Sequence, residues 1–151
     1  MSTLSRHLAN EDILLNLQAA SKKCLFEAIG QHMEKTHRVA HESVTAALHR
    51  RELAASTALG NGVAVPHARV IGLNKIRVLY VRPVVPMMSY AADGHPVTDI
   101  VVLLVPAPAT QEHLDVLAHV ASLFSEPGFR TALRACLNPA DVLRLFERWP
   151  H

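Results

Sequence analysis

Cysteine is scarce in this chain: Cys24 and Cys136 are the only two among 151 residues, with no CxxC spacing. That is too few for a disulfide framework. Aromatic residues are also few, with four Phe, two Tyr and one Trp. Six glycines and nine prolines are ordinary numbers, which excludes collagen-like and low-complexity chains. Neither charge sign dominates, since 15 Lys and Arg face 13 Asp and Glu for a formal net charge of +2. Nucleic-acid-binding domains usually carry a clear basic excess on one face, so no nucleic-acid partner is expected. Long apolar runs are missing as well. The longest, Ile100 to Val105 continuing into Pro106-Ala107-Pro108-Ala109, reaches about half of what a membrane-spanning helix needs, so no membrane insertion is expected. The N-terminal segment turns acidic at Glu11-Asp12, where a signal peptide would be apolar. A cytoplasmic protein forming one domain over residues 1–151 is the expectation.

What the chain has in excess is histidine, ten in all. Imidazole is a metal ligand, a proton shuttle, a nucleophile and a pH switch, so the question is which of the ten carry function. His37 and His41 stand at i and i+4, but no HExxH signature accompanies them, and His113 and His119 fall on different helix faces. No metal and no cofactor is expected. His7, His32, His49, His95 and the terminal His151 sit in surroundings that read as solvated.

The apolar pattern gives a coarse layout. Ile13-Leu14-Leu15 and Leu17 form a short apolar stretch after a polar tail. Ser21 reads as the N-cap of a helix carrying Leu25, Phe26, Ile29 and Met33. A second helix over His41 to Leu53 turns Val44, Ala47, Leu48 and Leu53 inward. Ser56 to Gly62 is punctuated by glycine and reads as a loop. Lys75 to Val85 and Ile100 to Val105 read as strands, the latter buried on both faces, with a turn at Ala92-Asp93-Gly94-His95-Pro96 between them. Thr110 caps a helix whose stripe is Leu114, Leu117, Ala121 and Phe124, ended by Glu126-Pro127-Gly128. A short helix to Cys136 follows, and Asn138-Pro139 starts a last helix with Val142, Leu143 and Phe146 inward. Helices and strands mix without strict alternation. The expected fold is therefore an α/β sandwich with a central mixed sheet flanked by helices.

Three side chains attract chemistry. His67 follows Pro66 at the end of a short apolar strand bracketed by glycines; proline fixes the backbone there and holds the next side chain in a defined direction. Gly60 and Gly62 permit close approach of backbone or a partner. His113 lies in the first turn after Thr110, where the helix dipole disfavours a charged imidazole. Arg51 offers the planar fork that matches phosphate oxygens.

Arg51-Glu52-Leu53-Ala54-Ala55-Ser56-Thr57-Ala58-Leu59-Gly60-Asn61-Gly62-Val63-Ala64-Val65-Pro66-His67 resembles the phosphorylation-site signature of type 2 EIIA domains. These are the mannitol/fructose class of the bacterial phosphoenolpyruvate-dependent phosphotransferase system (PTS). Asp93-Gly94-His95-Pro96-Val97 with Val102-Leu103-Leu104-Val105-Pro106 resembles the family's turn and strand, and Thr110-Gln111-Glu112-His113-Leu114 with Leu117 resembles its second-histidine helix. The resemblance runs from about Ile13 to Phe146, and Gly-Asn-Gly is similar to the nitrogen-regulatory, EIIA-Ntr or PtsN-like branch. It implies that His67 accepts a phosphoryl group on Nε2 from an HPr-like phosphocarrier (NPr), that His113 supports the site, and that Arg51 stabilises the phosphate. It also implies regulated partners such as potassium-transport systems or sensor kinases. A sugar-specific EIIA passing phosphate to an EIIB, and an interaction module with vestigial phosphorylation, are the alternatives. Two positions depart from the family pattern. Ala68 replaces the usual glycine after the active histidine and would be strained at positive φ, and Met88-Ser89-Tyr90 replaces the usual stretch before Asp93.

Overall fold

The computed structural model describes residues 4–90, 94–108 and 110–150. Ala92 and Asp93 of the expected turn, and His151, lie outside the described residues. The elements run β1 (Leu8–Leu17), α1 (Lys22–His37), α2 (His41–Ala54), β2 (Ala58–Gly60), β3 (Val63–Ala64), β4 (His67–Arg69), β5 (Arg77–Pro83), β6 (Asp99–Val105), α3 (Gln111–Phe124), α4 (Pro127–Ala135) and α5 (Pro139–Arg148). The strands form one six-stranded mixed sheet in the order β1-β5-β6-β3-β2, with β4 beside β6.

β6 is the axis of this sheet. All seven of its residues are buried, and its alternation feeds two separate cores. Ile100, Val102 and Leu104 pack with Leu25, Phe26, Ile29, Val44 and Leu48 of α1 and α2 on one face. Val101, Leu103 and Val105 pack with Val116, Val120, Phe129, Val142 and Phe146 of α3, α4 and α5 on the other. A continuous apolar strand is what two helical layers require, and the α/β sandwich with a mixed central sheet is observed.

Local signals set the helix starts. Ser21 accepts from Cys24 N–H, Thr110 from His113 N–H and Asn138 from Asp141 N–H, each closing one orphan donor of a first turn.

The structure differs from the sequence reading in four places. The N-terminal tail is strand from Leu8 onward, and Asp12 within it is fully buried. Within the stretch read as a loop, Ala58 begins a β-hairpin that ends at Ala64, β2 pairing antiparallel with β3, because Gly60, Asn61 and Gly62 all take positive φ and reverse the chain tightly. Leu53, one residue before the end of α2, is exposed and does not join the core. On α3 the sheet-facing stripe is Val116, Val120, Leu123 and Phe124; Leu114 is exposed, and Leu117 and Ala121 turn toward the neighbourhood of His67. α3 carries apolar residues on two faces, and hydropathy alone does not say which meets the sheet. Among the described residues, no helix is long and apolar enough to cross a membrane.

Candidate functional site

β3 and β4 run along the same side of β6. β3 pairs with Asp99 and Ile100, and β4 with Leu103 to Val105, both parallel. The break between them is Val65-Pro66. Pro66 has no N–H to give, but its carbonyl accepts from Leu103 N–H at 3.0 Å, while Val65 N–H donates to Thr57 O at 2.9 Å. The Val65 carbonyl is thereby left facing the ring two residues on. His67 Nδ1 lies 2.8 Å from it, and because a carbonyl only accepts, Nδ1 carries the proton. Nε2 is the lone-pair nitrogen, and it has no hydrogen-bond partner among the described residues.

A cleft of about 440 Å³ surrounds this ring. α2 contributes Ala47, Arg50 and Arg51, β4 contributes His67, Ala68 and Arg69, and α3 contributes His113. The three residues singled out from sequence therefore meet, although they are spread over more than sixty positions. The His67 and His113 rings stand 6.3 Å apart between centroids, tilted by 60°. Both ring nitrogens of His113 are shielded from solvent and bond to nothing among the described residues. Such a group is costly unless something polar meets it.

Burial and nearby cations push both imidazoles toward the neutral form. Burial lowers the pKa of His67, and the Arg51 charge lowers it further, against the raising effects of the Val65 hydrogen bond and of Glu52. Burial likewise lowers that of His113, with His67 and Arg69 adding to it. The sequence reading assigned this to the helix dipole, but desolvation leads. The Thr110 hydroxyl already takes the His113 N–H at 3.4 Å, so that donor of the helix start is occupied.

Behind the cleft lies a polar cluster that the sequence did not announce. The Glu52 side chain, 8% exposed, accepts from Lys22 Nζ at 3.0 Å, from Thr57 N–H at 3.1 Å, from the Thr57 hydroxyl at 2.8 Å and from the Tyr90 hydroxyl at 3.0 Å. The Met88-Ser89-Tyr90 segment is thus tied by Tyr90 to the end of α2, next to Arg51. Ala68 sits in β4 opposite Leu104 and is not among the positive-φ residues, so the missing glycine brings no strain. Arg50 and Arg69 were also missed; each is an ordinary surface charge until the fold lines the two up with Arg51.

Histidines elsewhere depart from the expected solvation. His32 and His37 both reach the carboxylate of Asp12, at 2.7 and 2.8 Å, and their side chains are only 15% and 5% exposed. His7, 14% exposed, meets Glu112 at 3.0 Å. His95 is exposed, as expected.

Residues 6–149 match the family of the phosphoenolpyruvate-dependent sugar phosphotransferase system, EIIA 2. The nitrogen regulatory protein of Pseudomonas aeruginosa is 33% identical over 123 residues, covering 81% of this chain and 80% of the relative. The crystal structure of the nitrogen regulatory protein IIA-Ntr from Neisseria meningitidis superposes with a TM-score of 0.88 at 37% identity, over 95% of this chain and 99% of that one. The mannitol IIA enzyme in complex with phosphorylated mannitol IIB from Escherichia coli shares the fold, with a TM-score of 0.75 at 21% identity over 92% and 96% of the two chains. The chain belongs to the EIIA 2 family of the phosphoenolpyruvate-dependent sugar phosphotransferase system, and within it is similar to the nitrogen regulatory IIA proteins.

Proposed function

We propose that this protein is a phosphoryl-accepting regulator of the nitrogen-related PTS, phosphorylated on His67 Nε2 by an HPr-like carrier (NPr). The observation that carries this reading is the His67 Nδ1–H bond to Val65 O at 2.8 Å, which assigns the nucleophilic lone pair to Nε2 in an arginine-lined cleft.

In the reaction, the Nε2 lone pair forms a bond to phosphorus as the donor's P–N bond breaks, and the donor ring keeps that electron pair. Positive charge developing on the His67 ring is stabilised through Nδ1–H by the Val65 carbonyl. Transfer of this kind has a loose transition state, so positioning and charge neutralisation carry most of the catalysis. Arg51 and an N–H of His113 meet the phosphoryl oxygens in this scheme, and Arg50 and Arg69 add positive potential around the cleft. Exposed Leu59, which lines an adjoining hollow with Arg51 and His67, gives a carrier protein an apolar contact beside the cleft.

The phosphoryl group adds about −1.5 to −2 charges to a patch set by three arginines, which alters what a partner meets there. Regulation by binding, with potassium-transport or sensor-kinase components as the class of partner, is the output.

The test is incubation with phosphoenolpyruvate, an EI-type enzyme and an HPr-like carrier. Wild type gains one acid-labile phosphoryl group by intact mass, and His67→Ala gains none. Labelling that survives in His67→Ala overturns the site. Rapid onward transfer to a sugar EIIB, in place of stable retention, overturns the regulatory reading and favours a sugar EIIA.

A further inference from the structure

A second cluster of chemistry-bearing side chains lies at β1, an edge strand separated from β6 by β5 and outside the His67 cleft. Asp12 on β1 is fully buried, and His32 and His37 come down on it from α1. Both rings present Nε2, and both aim at the same oxygen: His32 Nε2 is 2.7 Å and His37 Nε2 2.8 Å from Asp12 Oδ1, with His37 also 3.0 Å from Oδ2. One ligand atom from each residue lies within 4.8 Å of the other two.

Satisfying a buried carboxylate needs neither two imidazoles nor their convergence on one oxygen. Two imidazole nitrogens and a carboxylate oxygen around one point are the donor set of a borderline divalent ion, zinc first among them, and not of magnesium or calcium. Zn–N and Zn–O bonds of about 2.0–2.2 Å put neighbouring ligand atoms about 3.3 Å apart, so each imidazole nitrogen needs to draw back only roughly half an ångström from the carboxylate oxygen it now touches. A supporting partner is in place too. The Thr36 hydroxyl lies 3.4 Å from His32 Nδ1, and it accepts from that nitrogen once Nε2 gives its lone pair to a metal. His32 is the more accessible ring and marks the route by which an ion arrives.

We propose that Asp12, His32 and His37 form a site for a divalent transition metal of the zinc class, with water as fourth ligand. The ion joins the C-terminal turn of α1 to the edge strand β1, two elements that hydrogen-bond to each other here through these side chains.

The experiment uses untagged, chelator-stripped full-length protein, with Co²⁺ as the absorbing probe and Zn²⁺ as competitor. One Co²⁺ binds per chain with the intense visible spectrum of a four-coordinate site, one equivalent of Zn²⁺ displaces it, and Zn²⁺ raises the unfolding midpoint. His32→Ala and His37→Ala each weaken binding by more than about tenfold, and Thr36→Val weakens it by about tenfold without changing the stoichiometry. His41→Ala leaves binding unchanged. Circular dichroism checks each variant; if His37→Ala fails to fold, His32→Ala, at the more accessible of the two rings, decides. Absence of a four-coordinate Co²⁺ spectrum, binding that persists in His32→Ala, or binding lost in His67→Ala overturns the proposal.

Discussion

His67 donates its Nδ1–H to the carbonyl of Val65, two residues earlier, at 2.8 Å. The bond exists because Pro66 interrupts the strand between β3 and β4, so the Val65 carbonyl serves the ring. A local backbone irregularity thus selects which imidazole nitrogen keeps its lone pair.

Because burial and the Arg51 charge both hold the His67 pKa below its ordinary value of 6.5, a histidine-resolved NMR titration finds its midpoint below that value. Phosphoryl acceptance holds at neutral pH and falls as the pH drops through the lowered midpoint. Stability follows with the opposite proton count. Between the folded and unfolded pKa values the unfolded chain binds more protons, so acidification below about pH 6.5 destabilises the fold, and above it this group contributes no pH slope. A midpoint at or above 6.5 refutes the assignment.

Arg51 acts on His67 in two measurable ways. Arg51→Ala lowers the rate of phosphoryl transfer by about tenfold to a hundredfold, as expected for losing one charged donor to the transferring group. It also raises the His67 titration midpoint, because the cation that disfavours imidazolium is gone. Arg51→Lys restores the midpoint but only part of the rate, since an ammonium lacks the bidentate fork. Stopped-flow transfer kinetics and NMR titration of the same samples read both.

His113→Ala leaves the His67 hydrogen bond to Val65 in place and slows phosphorylation by about tenfold or more. Removing two shielded, unpartnered ring nitrogens also relieves a cost in the unliganded fold, so the variant unfolds at equal or higher urea concentration than wild type. Loss of rate together with loss of stability would assign His113 a packing role instead.

Glu52→Ala strips the acceptor from Lys22, Thr57 and Tyr90 together. It costs about 2–3 kcal/mol in urea unfolding, as several hydrogen bonds to a charged group are lost, while the Thr57 and Tyr90 hydroxyls keep their bond to each other. Burial raises the Glu52 pKa, but its donors outweigh that and the net direction is down. The stabilisation is therefore present above the unfolded value near 4.5 and is lost as the pH falls through the lowered folded one.

Gly62→Ala tests the hairpin that leads into the site. Gly62 has φ +78°, and a Cβ would sit 3.0 Å from the Thr98 hydroxyl. The expected loss is about 1–2 kcal/mol, measured by the same unfolding assay.

By itself the sequence determined the features whose cause is local. Ser21, Thr110 and Asn138 cap helices because each needs only an N–H three residues ahead. The Ile100 to Val105 run becomes the central strand because period-two alternation feeds both faces. Pro66-His67 and the Gly-Asn-Gly turn are legible for the same reason, and so are the three side chains that meet in the cleft. The tertiary structure decided what depends on distant partners. Which face of α3 meets the sheet is settled by the layer beneath it, not by its own hydropathy. Glu52 finds Tyr90 across 38 positions, and Asp12 finds His32 and His37 across 20 and 25. An acidic residue in an N-terminal segment reads as solvated because its partners are not its neighbours. Only the crossing of α1 over β1 removes it from water and pairs it with two imidazoles.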